Sequence, residues 1–257
     1  MLLAVDVGNT QTVLGLYSGA EALGQWRVAT EPERTADELG VLVDRLLDLQ
    51  DRSAEDVDAA CLASTVPALV REYESLAERY LNATMLVVGP GIKTGIPIRV
   101  DDPREVGPDR IANAVAARER YGAPCIVVDF GTATNFDVVS AAGEYVGGAI
   151  APGVETSMDA LFARAACLVK VDFVPPPQPI GSNTVHALQS GCVFGFAGQI
   201  DGIVGRIRAQ IGEQAKIVAT GGLASLIAPH SEAIDLVDAD LTLEGLRILW
   251  EHNQESD

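Results

Sequence analysis

The chain has 257 residues, of which 48% are hydrophobic and 21% are charged, proportions typical of a folded globular protein and not of a disordered one. The length allows one large domain or two small ones, with enough residues for a substantial core. The net charge of −18 argues against nucleic-acid binding, because most of the surface would repel the phosphate backbone. Any anionic ligand must therefore be held locally, by backbone amides, a cation or a few basic side chains.

The cysteines and the start of the chain indicate a cellular compartment. The four cysteines lie far apart and, with only three histidines, form no pair with metal-binding spacing, so a zinc site is not expected. They are typical of reduced, mostly buried thiols. No basic segment precedes the first apolar stretch, which Asp6 interrupts, and no apolar run is long enough to cross a bilayer. These features predict a cytoplasmic protein with no signal peptide and no membrane partner.

Strands and helices alternate along the first half of the chain. Apolar segments predict five strands, at residues 2–7, 12–17, 23–27, 59–63 and 85–88. A helix is predicted to start at Thr35, where Thr35 and Glu38 can form a capping box, and to end at about Gln50. A second helix is predicted from Pro67 to near Tyr80. This alternation indicates an α/β fold with a mixed, largely parallel sheet.

A glycine-rich stretch from Gly89 to Thr94 follows the last of these strands. It is not a P-loop, because Ile92 stands between Gly91 and Lys93, where a P-loop has glycine and lysine in direct succession. Lys93 could contact a phosphate or could simply be a solvated lysine.

A second landmark is the segment that ends in Gly107-Pro108-Asp109-Arg110. Pro108 suits the first position of a helix, and Gly122 would end that helix. Asp109 and Arg110 would then lie in the first turn, where unpaired backbone amides and the helix dipole favour an anion. The alternative is an ordinary helix with a stabilising aspartate near its N-terminus.

Ala123-Pro124 is the predicted boundary between two half-domains, residues 1–121 and 122–257. Strands of the second half are predicted at residues 126–129, 136–139, 145–150 and 217–220, and helices at 151–162 and 241–250. A long helix is predicted to begin near Thr184. It contains five glycines whose small size would admit a neighbouring helix or a second subunit: Gly191, Gly195, Gly198, Gly202 and Gly205.

The region around Asp129 has a counterpart 123 residues earlier. Val5-Asp6-Val7-Gly8-Asn9-Thr10 aligns with Val128-Asp129-Phe130-Gly131-Thr132-Ala133, and Glu21 and Gly24 align with Glu144 and Gly147. Each copy has a strand, a carboxylate, a turn with glycine and hydroxyl residues, and a second strand. Such a turn can hold a hydrated metal ion and let phosphate oxygens approach the backbone, although one copy alone could be an ordinary hairpin. The repeat predicts two related half-domains that face each other.

Two such hairpins clasping one nucleotide are the pattern of the actin, heat-shock ATPase and sugar-kinase superfold, which the chain resembles. The predicted fold class is α/β, with two related half-domains that each consist of a mixed sheet flanked by helices. In this superfold, a turn such as Gly221-Gly222 faces the adenine and ribose.

Five motifs in register give a more specific resemblance. They are Asp6-Val7-Gly8-Asn9-Thr10, Gly107-Pro108-Asp109-Arg110, Asp129-Phe130-Gly131-Thr132-Ala133-Thr134, Gly147-Gly148-Ala149-Ile150-Ala151-Pro152-Gly153 and Thr220-Gly221-Gly222-Leu223. Together they resemble the type III pantothenate kinases from Leu2 to about Asn253. This resemblance implies ATP-dependent phosphorylation of pantothenate, the first committed step of coenzyme A synthesis. It also implies Mg²⁺, a monovalent cation, and a cytoplasmic homodimer with active sites near the subunit interface.

The resemblance further implies roles for individual residues. Asp109 would be the base that faces the pantothenate hydroxyl, Asp129 would bind potassium or ammonium, and Asp6 would lie near the magnesium. ATP would contact Asp6, Val7, Gly8, Asn9, Thr10, Gln11, Thr12, Val13 and Thr132. Pantothenate would contact Val100, Gly107, Pro108, Asp109, Arg110 and Thr184. Carboxylates, metal ions and amides suffice for this chemistry, because phosphoryl transfer depends mainly on positioning and charge neutralisation.

The sequence departs from the family pattern at three positions. Val100 stands where the family usually has tyrosine, and its smaller side chain would remove a ring and a hydroxyl from the pantothenate pocket. Pro108 replaces an alanine and suits a helix start. Asn135 replaces a threonine and keeps a side chain that can form hydrogen bonds.

Two other classes of function are compatible with the same fold. One is a non-catalytic regulator, which the acidity and the retention of Asp6, Asp109 and Asp129 disfavour. The other is a different enzyme of the superfold, such as a polyphosphate-type phosphatase or an acetate-type kinase. Gly107-Pro108-Asp109-Arg110 separates these enzymes from the pantothenate hypothesis.

Overall fold

The computed structural model describes residues 1–165, 167–212 and 214–254. The chain forms two compact units. Unit 1 contains Met1–Ile96, Asp101–Ala116 and the segment from Leu241 onward, and unit 2 contains Pro97–Val100 and Ala117–Asp240.

Unit 1 is built on a five-stranded mixed sheet. Its strands are Leu2–Val7 (β1), Gln11–Ser18 (β2), Glu21–Ala29 (β3), Ala59–Ser64 (β4) and Thr84–Val87 (β5). Their spatial order is β3-β2-β1-β4-β5. The first three strands form an antiparallel meander, and β4 and β5 run parallel to β1. The strands of the parallel part, with Asp6 near the end of β1, therefore end at the same edge of the sheet.

The described helices of unit 1 follow from local signals in the sequence. Ala36–Asp48 (α1) starts with the predicted capping box, in which the Thr35 side chain and Glu38 each accept a backbone N–H of the other. Pro67–Leu76 (α2) has proline at its first position and continues as a five-residue π-helix, Ala77–Leu81. Both helices pack on one face of the sheet through a buried apolar cluster that includes Leu39, Val43, Leu69 and Leu76.

Unit 2 repeats this sheet. Its strands are Cys125–Phe130 (β6), Ala133–Val139 (β7), Tyr145–Pro152 (β8), Lys216–Gly221 (β9) and Leu236–Val237 (β10). Their order, β10-β9-β6-β7-β8, is that of the first sheet read in reverse, with an antiparallel meander β6-β7-β8 and parallel partners β9 and β10. The predicted internal repeat is therefore confirmed at the level of strand topology.

The helices of unit 2 are Val154–Arg164 (α4), Thr184–Ile211 (α5) and a short helix, Ala224–Ile227 (α6). Asn183 caps α5 by accepting the backbone N–H of His186 at 2.9 Å. Helices α4 and α5 cover one face of the second sheet, where apolar side chains such as Val128, Phe136 and Ile200 are fully buried. No helix in the described part of the chain combines the length and apolar character needed to span a bilayer.

The remaining long helices are Pro108–Tyr121 (α3) and Leu241–Gln254 (α7). Helix α7 packs on β1, β2 and β4, and its buried leucines include Leu241, Leu246 and Leu249. The predicted division into residues 1–121 and 122–257 differs from this arrangement, because the apolar face of α7 is buried in unit 1.

One predicted boundary inside unit 2 is wrong. The sequence predicted that Ala151-Pro152 opens a helix, but β8 extends to Pro152, which pairs with Ala133. Strand β8 lies at the edge of its sheet, and proline is tolerated there because an edge strand has backbone groups that need no ladder partner. The helix begins only after Gly153.

Candidate functional site

The first hairpin turn, between β1 and β2, is a polar loop with a fixed backbone. Gly8 donates its N–H to the carbonyl of Gln11 at 3.0 Å. Thr30, just after β3, donates its N–H to the carbonyl of Thr10 at 3.0 Å and its hydroxyl to the carbonyl of Gly8 at 2.8 Å. Asn9 and Thr10 are exposed at the tip. A ligand that reaches this turn therefore meets an ordered backbone.

The predicted ATP-contacting residues of this hairpin divide into two groups. Val7 and Thr12 are buried, so their side chains belong to the core, and the Thr12 hydroxyl lies 2.9 Å from that of Thr30. Gln11 is exposed and accepts a hydrogen bond from Arg27 at 2.8 Å. Asp6 is half-buried near the strand end and pairs with Val13 across the hairpin. The exposed turn and Asp6 are thus the parts that a ligand can touch.

The second hairpin turn, between β6 and β7, is held by a different set of bonds. Gly131 donates its N–H to the carbonyl of Ala133 at 3.0 Å. The carbonyl of Thr132 accepts the N–H of Gly153 at 3.2 Å and the hydroxyl of Thr156 at 2.8 Å. A Cβ atom on Gly153 would lie 2.3 Å from the Thr132 carbonyl oxygen, so only glycine fits there. The start of α4 therefore fixes the turn that carries Thr132.

Asp129 is half-buried near the end of β6, next to Thr220 on β9. Gly221, the next residue of β9, has a φ of +90°, and a Cβ atom there would lie 2.6 Å from the Asp129 Oδ1 atom. The Asp129 carboxylate therefore lies next to the backbone of Gly221, in the space that a side chain would fill. The predicted glycine turn and the predicted cation ligand are neighbours in unit 2.

Asp109 is the second residue of α3 and is half-buried. Its pKa is raised above the ordinary value because the carboxyl is withdrawn from solvent, an effect that backbone N–H groups of Arg110 and Asp109 and the charge of Arg110 oppose. A Cβ atom on Gly107 would lie 2.5 Å from the Asp109 Oδ1 atom. A side chain at position 107 would therefore push this carboxylate away from its present place beside Gly107.

The remaining predicted substrate residues lie in unit 2. Val100 follows a short segment that runs beside β8, where Arg99 donates its N–H to the Tyr145 carbonyl at 2.7 Å. The Val100 Cγ1 atom lies 3.6 Å from the position of a Cβ on Gly147, which has a φ of +103°. Thr184 is exposed at the first position of α5.

The structure thus gathers the predicted residues into two sets, one in each unit. Unit 1 contains the first hairpin turn and Gly107 to Arg110, and unit 2 contains Val100, Asp129, Thr132 and Thr184. Sequence reasoning missed Thr30 and Thr156, which fix the two turns. Both are single hydroxyl residues outside any motif, so no sequence signal marks them.

The carboxylates fit metal ions that take most of their ligands from substrate and solvent. In the described ranges 1–165, 167–212 and 214–254, no group of three or more His, Cys, Asp or Glu side chains could hold a metal ion. Mg²⁺ bound with substrate phosphates commonly uses only one or two protein carboxylates, and Asp6 can supply one. A monovalent cation near Asp129 could be bound by carboxylate and backbone oxygens. Because Gly221 has no side chain, the Asp129 carboxylate and the backbone carbonyl of Phe130 both lie close to it.

Comparisons with known proteins give a consistent result. The sequence matches the family model described as type III pantothenate kinase over residues 2–206. It is 53% identical to the type III pantothenate kinase of Moorella thermoacetica over 98% of this chain and 100% of that protein. It is also 53% identical to that of Myxococcus xanthus over the full length of both chains.

Solved structures show the same fold at low sequence identity. A protein named as a 2-dehydro-3-deoxygalactonokinase from Sinorhizobium meliloti superimposes with a TM-score of 0.63 at 13% identity, covering 100% of this chain and 97% of the other. A protein named as a Baf family transcriptional activator from Campylobacter jejuni gives a TM-score of 0.58 at 19% identity, covering 98% of both chains. The predicted fold class, two related half-domains of the sugar-kinase superfold, is confirmed.

Proposed function

The chain belongs to the type III pantothenate kinase family, and from this premise we propose that it transfers the γ-phosphoryl group of ATP to pantothenate, giving 4′-phosphopantothenate for coenzyme A biosynthesis. The observation that carries the proposal is the half-buried Asp109 carboxylate at the start of α3, in a chain that matches pantothenate kinases at about half of its positions from end to end. A carboxylate with a raised pKa at a helix start is suited to receive a proton.

The reaction requires one proton acceptor and an ordered phosphate donor. The hydroxyl oxygen of pantothenate attacks the γ-phosphorus, the bond to the bridging oxygen breaks, and ADP leaves. Asp109 takes the hydroxyl proton as the new P–O bond forms. The proposed acceptor-binding residues are Gly107, Pro108 and Arg110, which neighbour this carboxylate in the sequence of unit 1, and Val100 and Thr184, which belong to unit 2. Arg110 supplies a positive charge suited to the pantothenate carboxylate.

Each of the two hairpin turns carries proposed contacts to the donor, ATP. The exposed turn after β1 offers backbone N–H groups and small polar side chains to phosphate oxygens, so that within the predicted segment Asp6–Val13 the contact would be made by Asp6 and by the turn residues from Gly8 to Gln11. Thr132 of the second turn touches ATP through its side chain, since its carbonyl is already engaged by Gly153 and Thr156. Ordered turns of this kind position phosphates without reorganising during the reaction.

Asp6 would hold Mg²⁺, and Asp129 would hold potassium or ammonium. When bound, these cations neutralise the phosphate charge, which an acidic chain cannot do with its own surface. The chain's own contribution is to fix the two carboxylates near the ends of equivalent strands, β1 and β6. We also propose a cytoplasmic homodimer, as the sequence resemblance implies.

A panel of phosphoryl acceptors tests the proposal. The purified protein is incubated with Mg-ATP and potassium, and ADP release is followed with pantothenate, acetate, N-acetylglucosamine or no acceptor. We expect ADP release to depend on pantothenate alone. Release with acetate or a sugar would indicate a different enzyme of the superfold, and no acceptor-dependent release would favour a non-catalytic protein.

A further inference from the structure

Helix α7, which follows all the predicted motifs, makes unusually close contact with the helix that carries Asp109. A Cβ atom on Gly245 of α7 would lie 2.0 Å from the carbonyl oxygen of Ala112 and 2.8 Å from its Cα atom. The two backbones therefore touch at this point in unit 1. Glycine inside a helix is less stable than alanine by about 1 kcal/mol, so its presence at a buried crossing indicates a packing requirement.

A buried hydrogen bond fixes the same crossing. Asn113 is fully buried on α3, and the Thr242 hydroxyl of α7 donates to its Oδ1 atom at 2.7 Å. Asn113 lies four residues after Asp109, so both side chains project from the same side of the helix. Buried amide groups require partners, so this bond specifies how far α3 can slide or rotate along α7.

The opposite side of α7 rests on the hairpin that carries Asp6. The Leu243 Cδ1 atom lies 2.9 Å from the position of a Cβ on Gly15, so the leucine packs directly onto the backbone of β2. Gly15 pairs with Ala4, two residues before Asp6, and alternate residues of a strand face the same side of a sheet. Helix α7 thus lies between the first hairpin and the start of α3.

We propose that α7 is a positioning element in which Thr242 and Gly245 act through Asn113 and Ala112 to hold Asp109 at a fixed distance from the Asp6 hairpin. This inference rests on the proposed function, because it assumes that Asp109 receives the proton. In this proposal Thr242 and Gly245 act through their contacts with Asn113 and Ala112 and not by binding a substrate. Their effect on the reaction is transmitted by the backbone of α3.

Two substitutions test this role with different perturbations. Thr242→Val keeps the side-chain shape but removes the hydroxyl that donates to Asn113 Oδ1, and it should lower kcat about three- to tenfold. Gly245→Ala forces α3 away from α7 and should lower kcat about ten- to a hundredfold, since a displacement of about 1 Å can have that effect. KM for ATP should change less than about twofold in both. Thr242→Ser, which keeps the hydroxyl, should restore kcat.

Matched variants separate positioning from general destabilisation. Val43→Ala opens a cavity under α1, on the other face of the sheet, and should lower Tm without changing kcat. Asp44→Ala removes an exposed side chain from the same helix α1 and should leave kcat unchanged. If Val43→Ala lowers kcat as much as Thr242→Val at equal Tm loss, the proposal is overturned.

A double substitution provides the decisive measurement. In an Asp109→Asn background, Thr242→Val should cause no further loss of kcat, because the group that it positions is already gone. A further loss of the same size as in the wild type would reject the positioning role. Wild-type protein assayed in parallel distinguishes failure of the positioning role from failure of the proposed function. If the wild type shows no pantothenate-dependent turnover, the proposed function itself is rejected.

Discussion

The Asp129 carboxylate and Gly221 are in contact, and a Cβ atom at position 221 would lie 2.6 Å from Asp129 Oδ1 and 2.7 Å from the backbone N and O of Phe130. Gly221 also has a φ of +90°, which L-residues rarely adopt. The position therefore needs glycine for two independent reasons. The first reason is the positive φ angle, which strains any other residue. The second is that a side chain here would collide with the Asp129 carboxylate.

Gly221→Ala should lower activity at least about tenfold, because the new methyl group must displace Asp129 or separate β9 from β6. Gly122→Ala is the matched control: Gly122 also has a positive φ, of +82°, but apart from its two chain neighbours no atom of the described residues lies within 4 Å of the added methyl group. Both variants should lose more than about 1 kcal/mol of stability from backbone strain. Steady-state assays should show loss of activity in Gly221→Ala alone, and equal activity in the two would contradict the contact's role.

Activity should require potassium or ammonium, and Asp129→Ala should remove both this requirement and most of the activity. The reason is that a chain with a net charge of −18 cannot hold ATP by its overall charge. Rates are measured in potassium and in sodium at constant ionic strength. Asp159→Ala, which removes an exposed carboxylate paired with Lys170, serves as the control and should keep the potassium response. Equal wild-type rates in the two salts would argue against a cation site.

Asp109→Asn should lower kcat by about two to four orders of magnitude with little change in KM, as expected for loss of a general base. The wild-type rate should also fall as pH decreases through a pKa higher than the ordinary 3.8, because burial raises the pKa of this carboxyl. Asp102→Asn is a nearby control with the opposite environment: Arg104 lowers the pKa of Asp102, and this variant should keep wild-type kcat. Near-normal turnover in Asp109→Asn would remove Asp109 from the proposed role.

The same substitution should raise Tm at pH 7. A carboxyl whose pKa is higher in the folded than in the unfolded protein binds its proton more tightly when folded, so its ionised form destabilises the fold above both pKa values. The destabilisation disappears as pH falls through the folded pKa to the unfolded one. The Tm difference between Asp109→Asn and wild type should therefore shrink from pH 7 towards pH 3. A lower Tm for the variant at pH 7 would contradict this sign.

Val100→Tyr should bind pantothenate more tightly than the wild type. A regained neutral hydrogen bond is worth about 0.5–1.5 kcal/mol, so KM should fall roughly two- to twelvefold, while kcat should barely change. Val100→Phe separates the ring from the hydroxyl and should recover less of the effect. Gly147 of the edge strand β8 lies beside this position, since a Cβ atom there would be 3.6 Å from Val100 Cγ1, an ordinary contact distance. An unchanged or higher KM in Val100→Tyr would reject this interpretation of the pocket.

Most of the fold could be predicted because its signals are local. The capping box of Thr35 and Glu38, the proline start of α2 and the strand before Asp129 each depend on a few adjacent residues, and all three are present. The repeat that aligns Asp6 with Asp129 predicted two related half-domains, and the two sheets have the same strand order. Similar sequences of strands and turns favour the same pairing of neighbouring strands. The start of α4 was placed too early, because proline at an edge strand and proline at a helix start look alike in sequence.

The contacts that shape the site could not be predicted, because they join residues distant in the chain. Gly245 packs against the backbone of Ala112, and Gly153 packs against that of Thr132. Both contacts are possible because glycine has no side chain, and no recognisable motif predicts either contact. Helix α7 was assigned to the second half by its position in the sequence, whereas its apolar face is buried against β1 and β4. Amphipathic patterns show that a helix packs against something, but they do not identify the partner.

The most direct test of the proposed function is the identity of the product. Wild-type protein and Asp109→Asn are incubated with Mg-ATP, potassium and pantothenate, and the products are identified by mass spectrometry and phosphorus NMR. We predict one phosphomonoester on the terminal hydroxyl of pantothenate for each ADP formed by the wild type, and about a hundredfold less or lower with Asp109→Asn. ADP without phosphorylated pantothenate, or equal product from both proteins, would contradict the account.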